Sequence, residues 1–212
     1  FVCPHQKGLI PMYMLSLSQS AGMGFDEKES LEAITANLVS FLQMKSQRLY
    51  RHSLQVANYS VSVAAKLGLP KSEIELIKYA SLLHDIGKLS LSNSLLAKAP
   101  YLNRSEKALY RRHAAAGGNM LENIPCCQDI IPYIVHHHER WDGSGYPKHL
   151  RGANIPFGAR IIAVADYYDT IINPSADFWA KTKQQAVREL FSASGLLFDP
   201  EIVKAFIDTL GK

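Results

Sequence analysis

The chain has 212 residues, of which 47% are hydrophobic and 20% are charged, a composition typical of a globular domain and not of a disordered chain. Its formal net charge of +4 is too small to indicate binding of a nucleic-acid polymer. The three cysteines include an adjacent pair, so they predict no disulfide framework and favour a reducing, cytoplasmic setting. No apolar run approaches the roughly 20 residues of a membrane span.

Hydrophobic periodicity predicts a series of helices and no strand. Residues 1–29 lack periodicity and contain several Gly and Pro residues, which indicates a linker or the tail of a preceding module. Ser30 is the predicted N-cap of the first helix, and residues 30–212 form one predicted all-α domain. Residues 89–103 and 141–156 are predicted to be irregular. Further helices are predicted near residues 49–67, 72–87, 105–120, 130–138, 157–172, 182–194 and 199–210.

Histidines and aspartates stand out as candidate metal ligands. A single histidine on an apolar helix face is more often a hydrogen-bonded core residue than a ligand, because a buried polar ring needs a partner. Several such residues on separate predicted helices favour a metal site. Imidazole and carboxylate donors without thiolates suit Fe, Mn or Zn, and their number exceeds what one ion takes, so two ions are expected. The candidates are His52, His84, Asp85, His113, His136, His137, His138 and Asp166.

Two adjacent metals would favour phosphoryl chemistry, because they clamp the oxygens of an in-line displacement and acidify a water. Asp85 is the expected bridge, since a carboxylate has two oxygens to share. Lys88 follows His84 by four residues, and its ammonium could hold a substrate phosphate or protonate a leaving alkoxide. The alternative for Lys88 is a solvated surface lysine.

Several segments, in matching order, resemble a known family. HDIGK at 84–88, with His52 upstream and Asp166 downstream, resembles the HD phosphohydrolase superfamily. HHERWDGSGYP at 137–147 resembles the signature of its bacterial HD-GYP branch. Shorter matches follow at 155–156, 159–161, 164–169 and 198–206, so the resemblance covers about residues 48–210.

The resemblance implies an HD-type helical bundle with a two- or three-metal centre. It also implies a phosphodiesterase that linearises cyclic di-GMP to pGpG, and further to GMP, in bacterial signalling. Expected ions are Fe or Mn, with Zn, Ni and Mg as alternatives. Expected partners are an upstream sensor or receiver domain and diguanylate cyclases. The implied metal ligands are His52, His84, Asp85, His113, His137, His138 and Asp166. The implied catalytic and substrate-binding residues are Asp85, Lys88, Gly145, Tyr146, Pro147, Arg160 and Asp169.

Three residues near the Gly-rich loop have two interpretations each. Glu139 orients a ligand histidine or closes the loop, or is a surface charge at a helix end. Trp141 forms a pocket wall or belongs to the core. Arg160 makes a bidentate phosphate contact or, as we favour, pairs with Asp142 or Glu139. His136 falls outside the family's histidine pair and is expected to be structural.

The chain departs from the family pattern at two places. Members with activity continue after the position of Asp169 with basic residues that grip phosphate, where this chain has Ser175 and Phe178. A Glu that acts as an extra ligand in some members is replaced by Arg48, which predicts two ions rather than three. The altered grip predicts weak cleavage of cyclic di-GMP and leaves open a catalytically weak cyclic dinucleotide sensor or interaction module, or a phosphohydrolase with another phosphoester substrate. A phosphohydrolase for a linear nucleotide is a third possibility, against which the Gly-Tyr-Pro loop argues.

Overall fold

The computed structural model describes residues 27–98, 101–174 and 180–211. In these residues the chain is helical, with no strand beyond a single bridge between Ser194 and Phe198, so the all-α prediction is confirmed. The α-helices are α1 (Glu27–Lys45), α2 (Gln47–Lys66), α3 (Lys71–Leu83), α4 (Asn93–Ala97), α5 (Arg104–Arg111), α6 (His113–Leu121), α7 (Ile131–His136), α8 (Phe157–Ile172), α9 (Lys183–Ala193) and α10 (Pro200–Leu210).

Three short 3₁₀ segments, Ile86–Ser90, Pro125–Ile130 and Gly152–Asn154, connect some of these helices. No described helix combines the length and apolar character that a membrane crossing requires. The predicted irregular segment at the N-terminus lies mostly outside the described residues, and the division of the chain at residue 30 stays a prediction.

The core forms where α2 packs against α3 and α8. Helix α8 is apolar around most of its circumference, as expected of a central helix, and it buries Ile161, Ile162 and Val164 completely. On α2 the fully buried residues include Val56 and Val63. This arrangement fixes α2 and α8 side by side, so polar residues at the same height on the two helices face each other.

Helix ends follow the sequence closely where a capping side chain is present. The side chains of Thr182 and Asp199 accept hydrogen bonds from the first turns of α9 and α10. The predicted cap at Ser30 is wrong, because the chain is already helical from Glu27. The segment preceding Ser30, Glu-Lys-Glu, consists of good helix formers that extend α1 toward the N-terminus.

The turn after α3 lies directly against the backbone of α6. A Cβ built on Gly87 would lie 1.9 Å from the carbonyl oxygen of His113 and 2.6 Å from the amide nitrogen of Gly117. Only glycine allows this approach. The turn therefore places His84 and Asp85 next to His113, although these residues are far apart in sequence.

Candidate metal centre

The seven predicted donors come together in the interior of the bundle. Five histidines and one aspartate form two groups, in each of which the ligand atoms lie within 4.8 Å of one another. Asp166 lies between the groups, with Oδ1 3.0 Å from His52 Nε2 and Oδ2 4.0 Å from His138 Nδ1. The first group is His52, His84 and Asp85, and the second group is His113, His137 and His138.

Asp85 presents one carboxylate oxygen to each group. Its Oδ2 lies 3.4 Å from His84 Nε2 and 3.9 Å from His52 Nε2. Its Oδ1 lies 3.4 Å from His113 Nε2. This buried carboxylate therefore has the geometry of a bridge between two cations, as predicted from its two oxygens.

Backbone carbonyls orient three of the histidines in the same way. In each of them Nδ1 donates to the carbonyl oxygen three residues earlier, at 2.6–2.7 Å: His84 to Ser81, His113 to Tyr110 and His137 to Ile134. A proton held on Nδ1 leaves the lone pair of Nε2 directed at the cluster. The helical fold around each residue thus selects the tautomer that can bind a metal.

Three buried polar atoms of the cluster have no hydrogen-bond partner among the described residues: His84 Nε2, Asp85 Oδ1 and His137 Nε2. Buried polar atoms are nearly always paired. All three are of the atom types that bind metals, and each belongs to one of the two donor groups, so divalent cations would satisfy them together. The donor set therefore fits divalent metal ions.

Asp169 has a different place from the one expected of it. It was predicted to bind substrate, but its Oδ2 accepts a hydrogen bond from His52 Nδ1 at 2.6 Å and its Oδ1 accepts one from Asn173 at 2.8 Å. Asp166 and Asp169 are three residues apart and share one face of α8, so each carboxylate reaches a different ring nitrogen of His52. Asp169 thus orients the candidate ligand His52, as second carboxylates orient ligand histidines in metal sites.

Burial determines the protonation of the second group. It lowers the pKa of His113 to about 4 and, together with the neighbouring His84 and His113, that of His137 to about 3. The pKa of His138 is also well below its usual value, chiefly because the ring is buried. These rings are therefore neutral near pH 7, which is the form that binds a metal.

The first group is held by opposite charges. Burial alone would lower the pKa of His52, but its hydrogen bonds to Asp166 and Asp169 outweigh burial and raise the pKa to about 9. Burial would raise the pKa of Asp85, but Lys88 and the nearby histidines hold it well below the usual range. A metal at this group would compete with the proton on His52, so its binding at neutral pH would release that proton.

Lys88 is buried beside the carboxylate that joins the two groups. Its Nζ donates to Asp85 Oδ2 at 2.5 Å and lies 5.2 Å from the centre of the Tyr110 ring. Burial would lower its pKa, but the negative charge of Asp85 outweighs burial and raises it. Lys88 therefore stays protonated, which favours a fixed positive charge over a proton donor. The solvated-surface alternative is excluded by its burial.

Glu139 closes the loop that follows the histidine run. It is buried, and its carboxylate accepts hydrogen bonds from the backbone amides of Lys148 at 2.6 Å and Leu150 at 3.1 Å. His136 lies beside it, with Nδ1 3.5 Å from Glu139 Oε1. Glu139 and His136 thus have structural roles. For Glu139 this agrees with the interpretation that it closes the loop.

The Gly-rich loop places an aromatic ring at the cluster. A Cβ on Gly145 would lie 2.3 Å from the amide nitrogen of Arg140, so the loop folds back closely on itself. Tyr146 follows, and its ring centre lies 4.8 Å from that of His138. Burial raises the pKa of Tyr146, so its phenol remains a neutral hydrogen-bond donor. Pro147 comes next, after a cis peptide bond.

Arg160 serves the packing of the bundle. It forms an ion pair with Asp199 at 2.7 Å, and its guanidinium lies 5.8 Å from the ring of Trp141 and 4.7 Å from that of Phe157. The structure thus favours the structural interpretation over a phosphate contact, and the predicted pairing with Asp142 or Glu139 is wrong. Trp141 packs with Arg160 in the same part of the bundle. The acidic partner is the N-cap of α10, which no local sequence pattern connects to α8.

The predicted loss of basic phosphate-binding residues concerns Ser175 and Phe178. Neither residue is among the described ones. Two lysines follow these positions in the chain. Lys181 is engaged in an ion pair with Glu189. Lys183 is the exposed first residue of α9.

An all-α bundle that buries a cluster of histidines and aspartates is the architecture of a metal-binding domain. A family model described as "HD domain" matches residues 37–202, so this chain belongs to the HD domain family. The family and the His/Asp cluster are together consistent with divalent-metal binding. The resemblance found in the sequence motifs is thereby confirmed.

Curated relatives and a solved structure agree with this assignment. The 3'3'-cGAMP-specific phosphodiesterase 2 of Vibrio cholerae is 33% identical over 94% of this chain and 39% of its own length. A cyclic di-GMP phosphodiesterase of Thermotoga maritima is 32% identical over 90% of this chain and 53% of its own length. The chain therefore spans about half or less of these relatives. The fold is similar to that of Bd1817, an HDG"Y"P protein from Bdellovibrio bacteriovorus, with a TM-score of 0.68 and 21% identity over 87% of this chain and 65% of that one.

Proposed function

We propose that this domain is a metal-dependent phosphodiesterase that hydrolyses cyclic dinucleotides, with cyclic di-GMP cleaved to pGpG and further to GMP. The observation that carries the proposal is the convergence of seven donors in two groups that Asp85 joins, with buried ligand atoms left unpaired. The curated relatives named above are phosphodiesterases of two such cyclic dinucleotides, which supports the substrate class.

The residues of the chain hold and tune the centre. Two ions, Fe or Mn in preference to Zn, Ni or Mg, would supply Lewis-acid activation of the phosphate and acidify a water. Asp85 shares its two oxygens between the groups. Asp169 fixes the ring of His52, and backbone carbonyls fix three other rings, so the ligands need no rearrangement during the reaction.

Lys88 and Tyr146 act on the substrate side of the centre. The ammonium of Lys88, held next to Asp85, provides a positive charge where negative charge develops on the phosphate oxygens in the transition state. The phenol of Tyr146 donates a hydrogen bond to a phosphate, and its ring offers a stacking surface for a base. Gly145 and Pro147 shape the loop that carries this ring.

Two alternatives have less support. A catalytically weak sensor would not require a complete set of preorganised ligands, and the named relatives are enzymes. A phosphohydrolase of a linear nucleotide would not require the Gly-Tyr-Pro loop. Placement in a cytoplasmic signalling chain, with an upstream sensor or receiver domain and diguanylate cyclases as partners, stays a prediction from the family resemblance.

The test is to incubate Mn- and Fe-loaded protein with cyclic di-GMP, 3'3'-cGAMP, cyclic di-AMP and linear pGpG, and to separate the products by chromatography. We expect pGpG to form first from cyclic di-GMP and GMP to follow, with no reaction in the presence of a chelator. Tight binding without any product would favour the sensor. Cleavage of pGpG alone would favour the nucleotidase.

A further inference from the structure

The C-terminal turn of α5 places an arginine at the rim of the metal cluster. The guanidinium carbon of Arg111 lies 5.0 Å from the ring centre of Tyr146. That ring in turn packs on the ligand His138 at 4.8 Å. The neighbouring Tyr110 contacts His113 and Lys88 through its ring, so this turn borders the cluster. Arg111 itself is exposed.

Arg111 differs from two other basic side chains considered for phosphate binding, because no ion pair neutralises its charge. Arg160 is paired with Asp199 and Lys181 with Glu189. No acidic residue within the described ranges pairs with Arg111. An arginine stacked on an aromatic face keeps its N–H edge available for a bidentate contact with phosphate.

We propose that Arg111 binds the second phosphate of a cyclic dinucleotide, the one that the metal cluster does not hold. This inference rests on the proposed function and deepens it. A cyclic dinucleotide has two phosphates, and the second one needs a basic partner outside the cluster. The Tyr146 ring places the guanidinium beside the cluster, so one substrate can contact both.

The structural alternative is that Arg111 only stabilises its helix. A basic residue in the last turn interacts favourably with the free carbonyls of that turn, and Arg111 occupies that position in α5. Arg112 is the matched control. It is the next residue, is equally basic and exposed, and lies beside the same helix end. None of its described contacts is with Tyr146.

The experiment compares Arg111→Gln with Arg112→Gln on two substrates. For cyclic di-GMP, we expect Arg111→Gln to raise KM about 10- to 100-fold with kcat little changed, because a remote phosphate contact is made equally in the ground and transition states. For bis(4-nitrophenyl) phosphate, which has a single phosphate, both variants should match the unmodified protein. Arg111→Lys should raise the KM for cyclic di-GMP by an intermediate factor. An ammonium keeps the positive charge but lacks the planar, two-donor geometry of a guanidinium.

Calorimetric binding of a non-hydrolysable phosphorothioate analogue of cyclic di-GMP gives a readout that is independent of turnover. Its dissociation constant should rise with Arg111→Gln by a factor similar to that of KM, and should not change with Arg112→Gln. Equal effects of the two variants, or equal KM changes on both substrates, would overturn the inference. If the unmodified protein cleaves neither cyclic di-GMP nor bis(4-nitrophenyl) phosphate, the proposed function fails. The dissociation constants of the analogue for the two variants still decide the role of Arg111.

Discussion

Asp85 and Lys88 lie in direct contact but have separable roles. Asp85 directs one oxygen to each donor group, so each of two bound ions would lose a ligand on its removal. Lys88 contacts only Oδ2 and offers no lone pair while it is protonated. In the proposed reaction, Asp85 would hold the metal and Lys88 would stabilise the reacting phosphate, so the two roles can be tested separately.

We predict that Asp85→Ala loses most of its bound metal and all measurable activity. Lys88→Ala should keep nearly the normal metal content, while its kcat falls about 100-fold, which is typical of losing one stabilising charge. Plasma mass spectrometry and initial rates measure the two quantities. Lys107→Ala, a change at an exposed lysine of α5, is the control and should alter neither. An active Asp85→Ala protein, or Lys88→Ala at full rate, would contradict these roles.

Residues whose chemistry is visible in the sequence were predicted, and those that depend on tertiary partners were not. The seven donors follow from residue type and motif, and the structure brings all seven together. Arg160 was assigned the wrong partner because Asp199 is 39 positions away and no periodic pattern connects them. The role of Asp169 was within reach of the sequence, since its spacing of three from Asp166 already puts both on one face of a helix.

At the scale of elements, the contact between the turn Ile86–Ser90 and α6 sets the geometry of the centre. Gly87 makes that contact possible, because any side chain there would meet the backbone of His113 and Gly117. Backbone atoms cannot move aside as the end of a flexible side chain can. A substitution at Gly87 therefore disturbs the packing of two elements that carry candidate metal ligands.

We predict that Gly87→Ala destabilises the protein by about 1–3 kcal/mol or more, as overpacking of a close contact does, with a fall in Tm of roughly 2–12 °C. Metal content should fall as well, since His84 and Asp85 move away from His113. Thermal unfolding and metal analysis measure both effects. Gly211→Ala, where an added Cβ meets nothing within 4 Å, is the control. A Gly87→Ala protein with normal Tm and normal metal content would refute this account of the turn.

The helices with clear caps and strong periodicity were predicted well. Helix α8 has the predicted bounds, and α9 and α10 begin directly after their capping residues. Helix α4 was missed because it has only five residues, too few to show a period. The predicted helix over 105–120 is two helices, α5 and α6, with Arg112 between them, and the cap of α5 is Asn103. The apolar pattern continues across that junction, so periodicity alone could not locate it.

At the scale of the whole molecule, the metal centre depends on the packing of five parts of the chain. Helix α2 provides His52, the turn after α3 provides Asp85, and helices α6 and α8 provide His113 and Asp166. The chain after α7 provides His138. Composition and periodicity predicted an all-α domain, and the family resemblance predicted the donor set. Neither could supply the distances, which follow from how the helices pack.

The central claim is that these donors form a centre for two ions, and anomalous diffraction from crystals of Mn-loaded protein tests it most directly. We predict two Mn peaks, about 3.5–4 Å apart, one at His52 and His84 and the other in the second group, both in contact with Asp85. A third peak is not expected, because Arg48, one turn before His52 on α2, offers no lone pair and would repel a cation. A single peak confined to one group, or three peaks of equal height, would contradict the account.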